Sequence, residues 1–375
     1  MFLPAIGQLP FLKYLVIRNM DRVRSIGLEF YGECCLKPFQ SLETLCFEDM
    51  KEWQEWIPSR VEYEEFLCLH ELSISRCPKL QGEVPYHLPS LEKFSVHKCE
   101  ELVVSIPSFP MLHKLEIVGC KKVVSRNTID LCSLKSIVFS IPDLEILTTK
   151  LMHGLMKVEN LTIVDCKELR CMWQDKLMCL VTLDIQSCPS LISVSLMSTI
   201  RTLKIKGCSA LQSMPMSNCT CLESTTIEKC DSLTFISRGQ LPLTLKRLEI
   251  RNCRNLQFVV DEGEASSSSS PYNNNTSSFE QLEIRSCTSL KSLSRGDLPA
   301  TLKHLQIWGC SELTSLSSKD QLPTALKHIS LGYCPKLLSV AEKLHNNAYL
   351  EYLQIQNCEK LKSLSEGLHK LWHLH

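Results

Sequence analysis

The sequence predicts an α/β fold: a right-handed, horseshoe-shaped solenoid with a parallel β-sheet on its concave face and few helices on its convex side. Three observations lead there. A short apolar pattern recurs along the chain, mostly at steps of 20 to 24 residues. Within each copy the first apolar residues alternate with period two, the side-chain repeat of a strand. Twelve of the 21 cysteines fall at one position of the pattern.

Leu302, Leu305, Ile307 and Cys310 align with Leu350, Leu353, Ile355 and Cys358. Both strings read L-x-x-L-x-I-x-x-C-x-x-L, closing on Leu313 and Leu361. The same frame holds at Leu245, Leu248, Ile250, Cys253 and Leu256, and at Phe279, Leu282, Ile284, Cys287 and Leu290. It continues through Cys77, Cys99, Cys120, Cys166, Cys188, Cys208 and Cys230, and at Cys334. Two N-terminal copies place Met20 and Met50 where cysteine belongs, and a degenerate copy with Leu134, Ile137 and Phe139 offers Pro142. The total is about fifteen leucine-rich repeats over 1–375, and a stacked array of this kind is one continuous domain.

The leucine and isoleucine of L-x-I point to one face of a strand, which leaves residues such as Gln306 and Gln354 facing solvent. A turn must follow, and cysteine there is small, largely apolar and able to donate a weak S–H hydrogen bond to a turn carbonyl. The twelve cysteines are therefore expected to be a buried, reduced structural ladder. The return segments often end in Leu-Pro, as at Leu88-Pro89, Leu241-Pro242, Leu298-Pro299 and Leu322-Pro323. Proline lacks an N–H and holds its predecessor extended, so regular helices should be scarce. No repeat buries its leucines alone; each gains up to roughly 1.5–3 kcal/mol per apolar side chain only by stacking on a neighbour.

Lys plus Arg and Asp plus Glu balance at 41 each, so no global charge favours nucleic acid or an anionic membrane. No apolar run approaches the ~18 residues of a membrane span. The first thirteen residues lack the basic start and cleavage site of a signal peptide. The expected compartment is the cytoplasm, with the nucleus as the alternative. The first repeat begins at Leu12, and Leu368, Leu371 and Leu374 resemble the start of another copy, so both ends read as truncated. Residues 261–278, with five consecutive serines and Asn273 to Asn275, cannot bury apolar area and are expected to form a flexible insertion. A second insertion, Trp53 through Phe66, is acidic and aromatic; it reads as a solvated loop, with a docking patch as the alternative.

No Gly-Lys-Ser/Thr phosphate loop, G-x-G, Gly-x-Ser-x-Gly, His-Glu-x-x-His or C-x-x-C string occurs. No catalytic residue, metal or cofactor is therefore assigned. What remains is the exposed side of the strands. Large aromatics and arginines dominate the energetics of protein interfaces. On that ground Arg251, Arg285, Trp308, Tyr333, His304 and His328 are the partner-binding candidates. The alternative is a solvated sheet face, or one packed on another part of a parent protein. Upstream, Lys204, Lys206 and Lys229 interleave with Asp184 and Glu228, a mixture suited to a protein surface.

Several strings resemble the leucine-rich-repeat region of plant nucleotide-binding disease-resistance proteins of the coiled-coil class. They are Gly7-Gln8-Leu9-Pro10, Glu29-Phe30-Tyr31-Gly32, Lys37-Pro38-Phe39, Ser41-Leu42-Glu43-Thr44-Leu45 and Met50-Lys51-Glu52-Trp53. The later Leu-x-x-Leu-x-Ile-x-x-Cys copies look like that family's C-terminal repeats. The resemblance implies intracellular immune recognition, in which the repeats sense a pathogen effector or a guarded host protein and restrain a preceding nucleotide-binding domain. ADP or ATP would belong to that domain, which these 375 residues do not contain. The family's contact residues vary, so none transfers by motif. The competing reading is a substrate-binding leucine-rich-repeat adaptor of an F-box ubiquitin ligase, which would need an upstream helical F-box. A regulator of hydrolysis would need a loop arginine finger or a nucleophile with its base, and neither is found.

Overall fold

The computed structural model describes residues 3–32, 37–57, 65–82, 84–85, 87–105, 109–124, 131–140, 155–171, 177–216, 218–261, 277–294, 298–316, 322–340 and 349–361. Contacts divide the chain into two compact units, Met1–Glu168 with Asp175–Leu180, and Leu169–Gln174 with Val181–His375.

The first unit carries β1 (Tyr14–Arg18), β2 (Ser25–Ile26), β3 (Thr44–Glu48), β4 (Glu55–Trp56), β5 (Glu71–Ser75), β6 (Lys93–Ser105), β7 (Lys114–Val124), β8 (Ser136–Ser140) and β9 (Asn160–Val164). Strands β1, β3, β5, β6, β7, β8 and β9 lie side by side in that order, and β2 pairs with β4 on the return side. The second unit carries β10 (Thr182–Gln186), β11 (Thr202–Lys206), β12 (Ser224–Glu228), β13 (Phe235–Arg238), β14 (Arg247–Arg251), β15 (Phe258–Asp261), β16 (Gln281–Arg285), β17 (His304–Trp308), β18 (His328–Gly332) and β19 (Tyr352–Gln356). Here the main sheet runs β10, β11, β12, β14, β16, β17, β18, β19, and β13 pairs with β15. Among the described residues the only α-helix is α1 (Leu28–Tyr31).

Every described strand pair is parallel, and the L-x-I positions of the main sheet keep one frame within each unit. Leu203, Thr225, Leu248, Leu282, Leu305, Ile329 and Leu353 are successive partners, as are Ile205, Ile227, Ile250, Ile284, Ile307, Leu331 and Ile355. Register is held because a slip of one residue would turn both apolar rows outward. The intervening positions are less exposed than the sequence suggests: Gln306 and Gln354 are half-buried, since side chains on adjacent strands crowd one another.

One backbone device recurs in every repeat whose turn is described. The residue after the strand adopts positive φ, between 52° and 57° at Asn19, Asp49, Arg76, Lys98, Asp165, Ser187, Lys229, Asn252, Ser286, Tyr333 and Asn357. Gly119, Gly207 and Gly309 occupy the same position at 69°. This conformation disfavours residues with a Cβ, and Asn, Asp and Gly tolerate it best. It is stabilised by a backbone bond to the next repeat: Ser286 N–H donates to Trp308 O at 2.7 Å, and Tyr333 N–H to Gln356 O at 2.9 Å. Cysteine follows immediately, except after Asn19 and Asp49, where Met20 and Met50 stand. Its Sγ–H donates to the carbonyl of the last strand residue, as from Cys188 to Gln186 (3.4 Å), Cys253 to Arg251 (3.6 Å) and Cys334 to Gly332 (3.3 Å). The leucine three residues on closes the turn, Leu313 N–H donating to Cys310 O at 3.3 Å. The Leu-Pro segments set the next corner: Leu245, Leu302 and Leu326 donate to the carbonyls of Pro242, Pro299 and Pro323.

The insertion Trp53–Phe66 departs from the sequence expectation. Trp53, Trp56 and Phe66 are buried, so the aromatic part of this stretch is neither a solvated loop nor a docking patch; residues 58–64 lie outside the described residues. The three rings enter a cluster with Phe30, Tyr31, Phe39 and Phe47, where Phe39 stacks on Phe66 at 5.0 Å. Trp56 Nε1–H donates to the Tyr31 hydroxyl at 2.9 Å, and Trp53 Nε1–H to Glu55 O at 2.7 Å, so both indoles bury area without orphaning a donor. Most of the insertion at 261–278, the position Pro142 and the copy beginning near Leu368 also lie outside the described residues.

Thr225 stands where its register partners are leucines, fully buried, with no hydrogen-bond partner for its Oγ1. Thr225→Val should raise the midpoint of denaturant unfolding, by about 1 kcal/mol in stability, because it removes an unsatisfied hydroxyl at constant shape. An equal or lower midpoint would count against this account.

Candidate functional site

The second unit gathers all six residues singled out in the sequence, on the strand face turned away from the core. They form three neighbouring groups. Strand register lines up Arg247, Gln281, His304, His328 and Tyr352 in one row. The middle row is Glu249, Glu283, Gln306, Ser330 and Gln354, and the third is Arg251, Arg285, Trp308, Gly332 and Gln356.

In the third row, Arg251 and Arg285 are committed to one carboxylate. Arg251 Nη2 and Arg285 Nε each approach Glu283 Oε1 at 2.8 Å, and Arg251 also reaches Glu249 Oε2 at 3.3 Å. Glu283 is buried beneath them. The two guanidiniums and two carboxylates cancel, so the arginines offer a partner their planar faces more than net charge.

Trp308 and Tyr333 come together with ring centroids 5.8 Å apart. The indole has a seat because its neighbour in the row is glycine: a Cβ on Gly332 would lie 2.5 Å from Trp308 Cε3. Tyr333 projects from the positive-φ turn and is 50% exposed, so the pair presents a broad apolar surface. Trp308 Nε1–H donates to Ser330 Oγ at 3.1 Å, and Gln356 Nε2–H donates to the Tyr333 hydroxyl at 3.3 Å.

His304 stacks on His328 at 4.7 Å with an 18° interplanar angle, and His328 meets Tyr352 at 5.9 Å. With Gln281, Gln306, Ser330 and Gln354 these rings line a shallow depression of about 290 Å³. Partial burial, then the neighbouring imidazole, hold His304 below the ordinary histidine range.

The sequence reading placed Gly332, Ser330, Gln354, Tyr352 and Glu283 on the exposed face but did not single them out as candidates. Gly332 carried a signal, since glycine inside a strand marks a close approach by another group. Glu283 carried none, because its burial depends on Arg251 from the neighbouring strand as well as Arg285 two residues along its own.

Eleven of the twelve ladder cysteines are buried and Cys358 is half-buried; all are free thiols. Burial pushes the Cys120 thiol up to about 12. Hydrogen bonding to the adjacent repeat's thiol, then burial, raise Cys77, Cys230 and Cys310 further. The raised thiols stay protonated at neutral pH, whereas hydrogen bonding from neighbouring thiols lowers Cys208, Cys253 and Cys334. On the same outward face the lysines expected to mix with acids do so: Lys206 lies 3.2 Å from Glu228. Among the described residues no three His, Cys, Asp or Glu side chains converge to hold a metal ion. Among the described residues no helix is long and apolar enough to cross a membrane.

Comparison with known proteins agrees with this geometry. No family model matches the chain. It is 44% identical over 104 residues to the disease resistance RPP13-like protein 1 of Arabidopsis thaliana, a match covering 26% of this chain and 10% of that protein. A second Arabidopsis thaliana disease resistance protein is 42% identical over 106 residues, covering 28% of this chain and 7% of that one. The chain is a leucine-rich-repeat solenoid similar to plant disease-resistance proteins. The matched stretches are a small part of those relatives' length. Among solved structures, the leucine-rich-repeat domain of the type III effector XopL overlaps 63% of this chain and 73% of that one at a TM-score of 0.41 and 19% identity. YopM from Yersinia enterocolitica overlaps 89% and 75% at 0.39 and 15%. Both overlaps are loose, and the fold rests on the strand register itself.

Two outcomes follow from the geometry. Gly332→Ala should displace the Trp308 indole and shift its fluorescence while leaving the fold intact by circular dichroism; an unchanged emission maximum would contradict the seat. His304 titrates lower folded than unfolded, so the unfolded chain takes up its proton first. Its effect is to lower stability as pH falls through the unfolded value near 6.5. The acid-induced drop in melting temperature should therefore shrink in His304→Gln.

Proposed function

We propose that this chain is the protein-recognition part of a plant intracellular immune receptor, acting by binding and not by catalysis. The observation that carries the reading is the pairing of the half-buried Trp308 with the exposed Tyr333 on the parallel sheet, with the indole seated on Gly332. Rigid aromatics add contact area at little entropic cost and are the side chains most often found at binding hot spots. The similarity to two disease resistance proteins supplies the biological setting, that of defence. In that setting the partner is a pathogen effector, a guarded host protein, or the receptor's own nucleotide-binding domain. The working compartment is the cytoplasm. Any ADP or ATP is held by the nucleotide-binding domain.

A direct test is to measure association of a captured partner with the chain and with its Trp308→Ala and Tyr333→Ala variants. A central aromatic anchor should cost about 2 kcal/mol or more, roughly a thirtyfold loss of affinity. Unchanged affinity in both variants would remove this face as the recognition surface.

A further inference from the structure

The depression beside the aromatic pair has a hydrogen-bonding polarity set by one fixed point. Trp308 Nε1 can only donate, so Ser330 Oγ accepts from it at 3.1 Å and turns its own hydrogen to Gln354 Oε1 at 3.0 Å. The Tyr352 hydroxyl also donates to Gln354 Oε1, at 3.0 Å. Both lone pairs of that amide oxygen are then filled, and the Gln354 amide is left with two N–H donors and no free acceptor. The side chains of Gln281 and Gln306 have no hydrogen-bond partner among the described residues, and neither does the His304 ring. The lining contains no carboxylate.

The carboxylates around it are already paired. From the β16 side, Glu280 holds Lys303 at 2.7 Å; from the β19 side, Glu351 holds Lys327 at 3.1 Å. Glu283 is held by the two arginines. Glu351 Oε2 stands 3.8 Å from His328 Nε2, beyond hydrogen-bond reach. Facing the depression itself are two imidazoles, a phenol, a hydroxyl and three amides, a set in which only the imidazoles change charge near neutrality.

We propose that this depression receives a carboxylate, an aspartate or glutamate side chain of the protein partner, and that the His304–His328 pair takes up a proton as it binds. The inference rests on the recognition reading above and names the chemistry this part of the face selects. A carboxylate is acceptor-only, matching a lining that holds no carboxylate and in which the Gln354 amide is left with only N–H donors, beside the unpartnered amides of Gln281 and Gln306. Its charge offsets what disfavours a proton on His304, namely burial and then the stacked His328 ring, so protonation and binding reinforce each other.

The test uses the full chain and a fluorescein-labelled oligoglutamate peptide, followed by anisotropy at about pH 7.5 and about pH 6, where glutamate stays ionised. Affinity should rise on acidification, by up to about tenfold per pH unit for one proton taken up. The oligoglutamine counterpart should bind far more weakly. The double variant His304→Gln, His328→Gln should lose the pH dependence. Gln354→Glu, nearly identical in shape, should weaken binding at both pH values by turning oxygen toward the ligand. Equal binding of oligoglutamine, a pH-independent affinity, or unchanged binding in Gln354→Glu would overturn the proposal. A phosphoserine peptide binding more than about tenfold tighter would overturn it in favour of phosphate. The two readings fail separately: if Trp308→Ala abolishes partner binding while oligoglutamate never binds, only the carboxylate inference falls.

Discussion

The structure depends on how each repeat leaves its strand. A parallel strand must be followed by a turn that neither strands its backbone donors nor opens the core, and it must be the same turn every time. The chain does this with one residue at positive φ and one small, nearly apolar residue after it. The N–H of the first bonds forward to the following repeat, and the thiol of the second bonds back to the strand just completed. The backbone groups most exposed to burial are therefore satisfied. Valine or alanine after the turn would lack the donor, and serine would bury a more polar hydroxyl at greater desolvation cost. Cysteine meets both requirements, which explains a high cysteine content with no disulfide among the described residues.

With the turns fixed, the rest of each repeat has freedom. The return segments differ in length and composition, and some carry short side strands such as β2 with β4 or β13 with β15. The aromatic cluster around Phe39 and Phe66 fills the wider interior that the long early repeats create. Exposed ion pairs such as Lys13 with Glu43, or Arg201 and Lys246 with Glu223, run between repeats along the start of the strands. Each is solvent-screened and contributes little to stability, but together they leave that border without a net charge.

What the sequence made legible followed from strict periodicity. The L-x-x-L-x-I-x-x-C frame gave the strand positions, their parallel pairing and the inward cysteines, because a fixed repeat forces identical residues into register. The candidate rings could also be found, since exposure at Trp308 and Tyr333 follows from strand alternation and the turn. What could not be read was any property set by two repeats at once. The burial of Glu283 needs Arg251 and Arg285. The polarity of the His304 depression needs Trp308, Ser330, Gln354 and Tyr352 from three successive strands. The insertion after Trp53 misled for the same reason: its acidic residues suggested solvent, while its aromatics had partners at Tyr31, Phe39 and Phe47.

The seat of the Trp308 indole has a bearing on how such a surface can diversify. The ring belongs to one repeat and the vacancy it fills, at Gly332, belongs to the next. Unequal crossing-over or duplication that moved a single repeat would carry the tryptophan away from its glycine, or bring a side chain into the space the ring occupies. The smallest heritable block that preserves this feature is thus a pair of adjacent coils, inherited together.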